Sequence, residues 1–423
     1  MKERIVSVDI FRGLTIALMI LVNTPGTWEA VYAPFRHAEW HGYTPTDLVF
    51  PFFLFIVGTS IVFAYRNKQP DAATHRKIIV RTLKLILLGI FLGAFTVEPP
   101  FFEPFSEIRF PGVLQRIGVV FFAAALLFLH TNYKTLLAIT VVILLGYWVW
   151  MAFIPLGGEP PSLERVPNNW ANYIDVHVFG SHTYKPDYDP EGLLSTLPAI
   201  ASALLGIFTG RVLVSDRANK TQWMLLAGAA LLAAGSIWGL VFPVNKALWT
   251  SSFVLVTAGW ANLLLALIYY LTDVKKMQFG SIFRYAGANA ITVYFLSSFV
   301  TSLFYQIQVD EGLSVHGWLF RNIYVHEFLP LALSSLLYGL TVMGFYLLLG
   351  WWLYRRKIFI KVGPRPYRLA TTSFPVPGTM QGAADYQACG LCGSIRRATY
   401  LPIISNSRFT RVPGAYSQNL VCS

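Results

Sequence analysis

The residues best suited to chemistry sit in one short polar stretch near the start of the chain. Asn23 ends an apolar run, and Arg36-His37-Ala38-Glu39-Trp40-His41-Gly42 follows it. Asp47 then opens a second apolar run. A histidine in a wet loop is a general base near neutral pH, because its reference pKa is about 6.5. Glu39 and His41 can orient or tune such a base, and Asp47 can cap the helix it opens. The Asn23 amide can donate a hydrogen bond to a carbonyl oxygen. A base, an orienting group and an oxygen donor are what acyl transfer to an amine or hydroxyl needs. The bland alternative is that His37 and His41 only solvate an interface and that Asp47 only caps a helix. His37 and His41 also have the i, i+4 spacing of helical metal ligands. No HExxH pattern accompanies them and no third ligand is evident, so no metal is expected.

Further candidates lie inside the apolar runs. Arg12 stands three residues after Asp9, and Gln115-Arg116 lies early in a later run, with Arg109 just before it. A charge at membrane depth is costly and is usually paired or turned toward a cavity. Asn262 and Asn289 raise the same choice between helix–helix glue and ligand contact. No Walker loop, GxGxxG, GxSxG elbow or DNA-binding motif occurs, which removes the common signatures of an ATP-driven pump and a serine hydrolase.

The elements that must position these groups are membrane helices. The 423 residues are 55% hydrophobic and 13% charged, against about 25% charged in soluble domains, and the mean hydropathy is +0.53. Apolar windows of about 20 residues recur along the chain, and the roughly ten-residue alternation of barrel strands is missing. Ten spans are expected, at 8–23, 47–65, 79–96, 112–130, 134–154, 194–214, 222–241, 248–271, 281–304 and 327–354. The first is short, with Phe11-Arg12-Gly13 assigned to its interfacial turn. No small-residue cleavage pattern follows Ile10 to Val22, so that span is expected to be retained. The expected fold is an all-α polytopic bundle of about ten transmembrane helices with an extracytoplasmic loop cap.

The net charge of +12 does not indicate a nucleic-acid partner. The basic residues fall in short clusters on alternate connections, such as Arg66 to Arg81, Arg211 to Lys220 and Arg355 to Lys357, rather than on one surface. The positive-inside rule then places both ends of the membrane body in the cytoplasm. The opposite side receives the loops 24–46, 97–111, 155–193, 243–246 and 305–326. The third shows no clear element of its own, yet its aromatics and Gly/Pro punctuation favour an ordered cap. Small-residue pairs such as Gly89 with Gly93 and Gly206 with Gly210 permit close helix approach. Residues 1–361 are expected to form one membrane domain. All three cysteines, Cys389, Cys392 and Cys422, fall in 362–423, a Gly/Pro/Ser/Thr-rich tail expected to be disordered or artefactual.

Several motifs carry a resemblance. They are Ser7-Val8-Asp9-Ile10-Phe11-Arg12-Gly13-Leu14-Thr15, Leu21-Val22-Asn23-Thr24-Pro25-Gly26, His37-Ala38-Glu39-Trp40-His41-Gly42 and Thr46-Asp47-Leu48-Val49-Phe50-Pro51. Later matches are Arg109-Phe110-Pro111-Gly112-Val113-Leu114-Gln115-Arg116, Asp189-Pro190-Glu191-Gly192-Leu193 and Asn289-Ala290. Over residues 4–357 the chain resembles the heparan-alpha-glucosaminide N-acetyltransferase family and its bacterial NagX-type relatives. The resemblance implies transfer of acetyl from cytosolic acetyl-CoA to a glucosamine amine across the bilayer, with a homodimer as the expected assembly. It implies His37 as base or acetyl carrier and Asn23 as its partner; Asp47 is the third catalytic candidate. Arg12, Arg116, Gln115 and Asn289 become the candidate contacts to coenzyme A. Glu39, Trp40, His41, Arg109, Asn168 and Asn169 become those to the acceptor. The segment from Asn23 to His37 is longer than in the lysosomal enzymes, and their large luminal domain has no counterpart before the first span. A small amino sugar or cell-envelope glycan fragment is therefore the expected acceptor, and an amino-sugar transporter is the alternative reading.

Overall fold

The computed structural model describes residues 5–310 and 312–360. The tail 362–423 lies outside the described residues. In chain order the helices are α1 Val6–Asn23, α2 Val49–Tyr65, α3 Ala72–Ala94, α4 Val113–His130, α5 Tyr133–Phe153, α6 Trp170–Phe179, α7 Thr196–Val214, α8 Lys220–Trp238, α9 Ser251–Tyr269, α10 Ser281–Ala288, α11 Ala290–Gln306, α12 Val315–Leu319 and α13 Leu331–Arg355. A two-stranded antiparallel ribbon, β1 Gln308–Asp310 and β2 Leu313–Ser314, precedes α12. The chain is an all-α polytopic membrane protein.

Eight of these helices are long and apolar enough to cross a membrane: α1, α2, α4, α5, α7, α8, α9 and α13. The expected ninth span is not one straight helix. It is the pair α10 and α11, bent by 83° at Asn289. The expected third span lies in α3, which starts earlier and includes Arg76, Lys77, Arg81 and Lys84. Phe11-Arg12-Gly13 does not form an interfacial turn. It continues the first helix, because Ser7 and Val6 donate their backbone N–H groups to Asp273 at 2.9 Å and start α1 earlier than its apolar run.

Missing side chains let the central helices touch. A Cβ on Gly58 would fall on the Ala203 carbonyl, and one on Gly206 would fall on that of Phe55, so α2 and α7 meet backbone to backbone. Thr59 adds a hydrogen bond to the Gly206 carbonyl at 3.0 Å. Gly13 and Gly287 allow the same approach between α1 and α10. Leu83 and Leu87 on α3, Val142 and Leu145 on α5, and Leu226 on α8 face outward, as helices solvated by lipid tails require.

Alternate connections gather at one end. Trp40 Nε1 donates to the Leu163 carbonyl at 2.9 Å, and Gly42 N–H to that of Val244 at 2.7 Å. Phe110 N–H donates to the His182 carbonyl at 3.0 Å. Val97 N–H donates to Gln306 at 2.9 Å. The long connection 155–193, expected to lack an element, contains α6. Asn169 caps it, accepting from Ala171 at 3.0 Å and from Asn172 at 3.4 Å.

Candidate functional site

His37 follows the single 3₁₀ turn Ala33–Phe35, and Asp47 lies in the 3₁₀ turn Pro45–Leu48 that leads into α2. Their approach is therefore set by the nine residues between them and by the start of one rigid helix. His37 Nδ1 stands 2.5 Å from Asp47 Oδ1. The other carboxylate oxygen accepts from the backbone N–H groups of Ala38 and Thr44, each at 3.0 Å. Asp47 is 1% exposed, whereas the histidine remains partly open to solvent. A buried carboxylate at this distance calls for a proton on Nδ1. The neutral ring then carries its basic lone pair on Nε2.

A third member comes from the α8–α9 connection. Lys246 Nζ is 3.2 Å from His37 Nδ1 and 3.6 Å from Asp47 Oδ1. Sequence reasoning passed over this residue. A single lysine in a short loop looks like a solvated charge, and its partners lie some two hundred positions away.

The other sequence candidates divide by location. Asn23 is the last residue of α1, and its side chain makes no hydrogen bond among the described residues. The turn after it is anchored: Gly26 N–H donates to Ser335 O at 3.2 Å, and the Gly26 carbonyl accepts from His316 Nε2 at 3.1 Å. Tyr338 donates to Nδ1 of the same imidazole at 3.0 Å. Burial pushes His316 below the usual histidine range, which keeps it neutral and preserves both bonds. Trp40 packs edge-on against Tyr188, and His41 meets Glu164 at 3.0 Å and Asn245 at 3.3 Å. Glu39 points to the exterior. Asn168 donates to the Pro160 carbonyl at 2.9 Å, and the Asn169 amide, besides capping α6, donates to the Glu164 carbonyl at 3.0 Å.

A buried charged cluster lies under the cap. Arg109 forks onto Asp189 at 2.6 and 2.8 Å and reaches Glu191 at 2.5 Å. Burial by itself would lower this guanidinium, yet Glu191 and Asp189 hold it above its ordinary value. Arg116, 2% exposed in α4, donates to the Gly192 carbonyl at 3.0 Å and to the Ser195 hydroxyl, with its guanidinium over the Trp249 ring. Asp175 of α6 accepts from Leu193 N–H at 2.7 Å. Burial, opposed by that bond and reinforced by Asp189, raises the Asp175 carboxyl to about 7. Gln115 does not share the Arg116 environment; its amide lies in the notch left by Gly89 and Gly112.

Arg12 and Asn289 are found elsewhere in the bundle. Arg12 contacts Asp9 at 3.0 Å and Ser60 at 2.6 Å. Asn289, at the break between α10 and α11, donates to Ile358 O and accepts from Ile360 N–H, both at 3.0 Å. Among the described residues no group of three His, Cys, Asp or Glu side chains could hold a metal ion.

The sequence model of the family described as "Heparan-alpha-glucosaminide N-acetyltransferase, catalytic" matches residues 4–242. The protein named heparan-alpha-glucosaminide N-acetyltransferase of Homo sapiens is 31% identical over 86% of this chain and 60% of its own length. Its Mus musculus counterpart is 29% identical over 85% of this chain and 61% of its own length. The chain thus spans about 60% of the length of these relatives. The match to the family model contains His37, Asp47, Arg109 and Arg116, and the chain belongs to the heparan-alpha-glucosaminide N-acetyltransferase family.

Proposed function

We propose that the chain is a membrane N-acetyltransferase that moves acetyl from cytosolic acetyl-CoA to the amine of a glucosamine-type sugar on the other side of the bilayer. The observation that carries the reading is the His37–Asp47 contact of 2.5 Å on a loop pinned between two membrane helices. Such a pair supplies a general base with a fixed tautomer. In direct transfer the amine nitrogen attacks the thioester carbonyl carbon. The new C–N bond forms, the C–S bond breaks and the sulfur departs as thiolate. His37 Nε2 takes the proton that the amine loses. Asp47 stays ionised and supports the imidazolium that forms. Asn23 steadies the carbonyl oxygen from the end of α1. Arg12, Arg116, Gln115 and Asn289 are the proposed contacts to coenzyme A. Glu39, Trp40, His41, Arg109, Asn168 and Asn169 are the proposed surroundings of the acceptor. The proposal places this activity in residues 1–361, in a homodimer in a bacterial cytoplasmic membrane, with both ends of the membrane body in the cytoplasm.

Purified protein incubated with labelled acetyl-CoA and a panel of amino sugars should give N-acetylated product by mass spectrometry. His37→Ala should lower turnover by about 10²–10⁴-fold with folding intact. Wild-type turnover in that variant would remove the catalytic assignment. The break between α10 and α11 favours a second reading, since discontinuous helices line the binding sites of many transporters. That reading predicts uptake of unmodified amino sugar into proteoliposomes, with no acetylated product.

A further inference from the structure

Lys246 reaches the site on an unusually well-fixed turn. Asn245 is fully buried, and its side-chain oxygen accepts from Leu248 N–H at 2.8 Å. Its backbone N–H donates to the Thr250 hydroxyl at 3.0 Å, and its carbonyl accepts from Thr250 N–H at 3.1 Å. Trp249 closes the turn with φ of 51°, a left-handed conformation that a bulky side chain adopts only under constraint. Its buried indole donates to Ser202 at 3.1 Å. The first loop is tied to the same turn through Gly42 and His41. The ammonium therefore has a defined place beside the imidazole.

The arrangement poses a proton-counting problem. Asp47 at 2.5 Å requires a hydrogen on His37 Nδ1. Lys246 has only donors to offer, so it cannot hydrogen-bond to that protonated nitrogen 3.2 Å away. Its favourable interaction is with Asp47 Oδ1. One carboxylate thus serves two nitrogens. A lone His–Asp pair favours the imidazolium, which has no lone pair with which to accept a proton. A second cation at this range opposes that charge.

We infer that Lys246 is a positioning residue for the proposed acetyl transfer: by sharing Asp47 Oδ1 and standing beside Nδ1, it keeps His37 neutral and ready to accept the proton of the incoming amine. The inference rests on His37 being the base. The charged groups in contact with His37 include Asp47, from the turn before α2, and Lys246, from the turn before α9. Arg36 donates instead to the Val31 carbonyl, and His41 is occupied by Glu164 and Asn245.

The test compares wild type with Lys246→Met and Lys246→Arg in the full chain. The first readout is the pH dependence of kcat/KM for glucosamine acetylation. The second is the pH dependence of His37 carbethoxylation by diethyl pyrocarbonate, followed by peptide mass spectrometry. This reagent modifies only the neutral ring and needs no acetyl-CoA. Lys246→Met should move both acid limbs upward by about one pH unit and lower the rate near pH 6 by about tenfold, with recovery at higher pH. Lys246→Arg should leave both limbs in place. If Lys246→Met does not fold, Lys246→Gln removes the charge with a polar group retained, and the same shift is expected there. A carbethoxylation limb unmoved by loss of the charge overturns the inference. A limb that moves in a protein without acetyltransferase activity upholds the electrostatic role and overturns the proposed function instead.

Discussion

Asp47 has a division of labour between its oxygens. Oδ2 is held by two backbone N–H groups, and Oδ1 faces the His37 ring and Lys246. Asp47→Asn exposes that division. The amide oxygen must stay with the two backbone donors, so the NH₂ group turns toward Nδ1. Two donors cannot face each other, and the ring flips to its Nε2–H tautomer. The lone pair the proposed base needs is then on the wrong nitrogen. Turnover should fall by about 10²–10⁴-fold while the melting temperature changes little. Turnover within a factor of two of wild type would show that the pair does not set the tautomer. His37, Asn23 and Asp47 could be picked out as candidates in the sequence because polar residues stand out between apolar runs. Lys246 could not be picked out, since its contacts with His37 and Asp47 exist only once α9 brings its leading turn over the first loop. Asn169 was legible as a polar residue in the cap, but its amide caps α6, a use that depends on recognising that helix.

At the scale of elements, the cap is held by a short helix and a charged cluster. α6 is ten residues long and sits within a Gly- and Pro-punctuated connection, which hid its periodicity. Its Asp175 packs so tightly on Gly192 that a Cβ there would overlap the carboxylate. The sequence shows Asp189-Pro190-Glu191-Gly192-Leu193 as a motif. Its physical reason is visible only in three dimensions: two carboxylates for Arg109, a carbonyl for Arg116 and a bare α-carbon for Asp175. The Asp175 carboxyl is raised from 3.8 to about 7, so the folded chain holds a proton that the unfolded chain releases. The stability contributed by this group is therefore largest below about pH 4, falls as pH rises toward about 7, and is absent above that, each unit of the window being worth about 1.4 kcal/mol. Asp175→Asn keeps the acceptor for Leu193 N–H and removes the titration. Its melting temperature should exceed that of wild type at pH 8 and converge with it at pH 4. An unchanged difference across that range would show that Asp175 ionises in the folded cap as freely as in the unfolded chain.

Across the whole molecule, the apolar windows made the membrane class and most spans legible, because lipid imposes a length and a composition on any helix that crosses it. The 83° break was not legible. Residues 281–304 read as one largely apolar window despite Arg284 and Asn289, and the bend depends on Asn289 binding the backbone at Ile358 and Ile360. Charge alternation adds a statement about sides that the structure makes testable. The proposed base, the cap and the Lys246 turn all lie at one end of the bundle, the end reached by the connections poor in lysine and arginine. The basic clusters at the other end include Arg66 and Lys68 between α2 and α3, and Arg211, Arg217 and Lys220 around the α7–α8 connection. If the basic end is cytoplasmic, the proposed base lies on the far side from the acetyl-CoA pool, and the acetyl group must pass between α1, α2 and their neighbours to reach it. Single cysteines at two exposed positions decide the matter, with Cys389, Cys392 and Cys422 replaced by serine. In intact cells, a membrane-impermeant maleimide should label Glu159→Cys in the cap and should label Lys68→Cys only after the membrane is opened. The reverse pattern would place His37 in the cytoplasm with acetyl-CoA, and the transfer would then need no passage through the bundle at all.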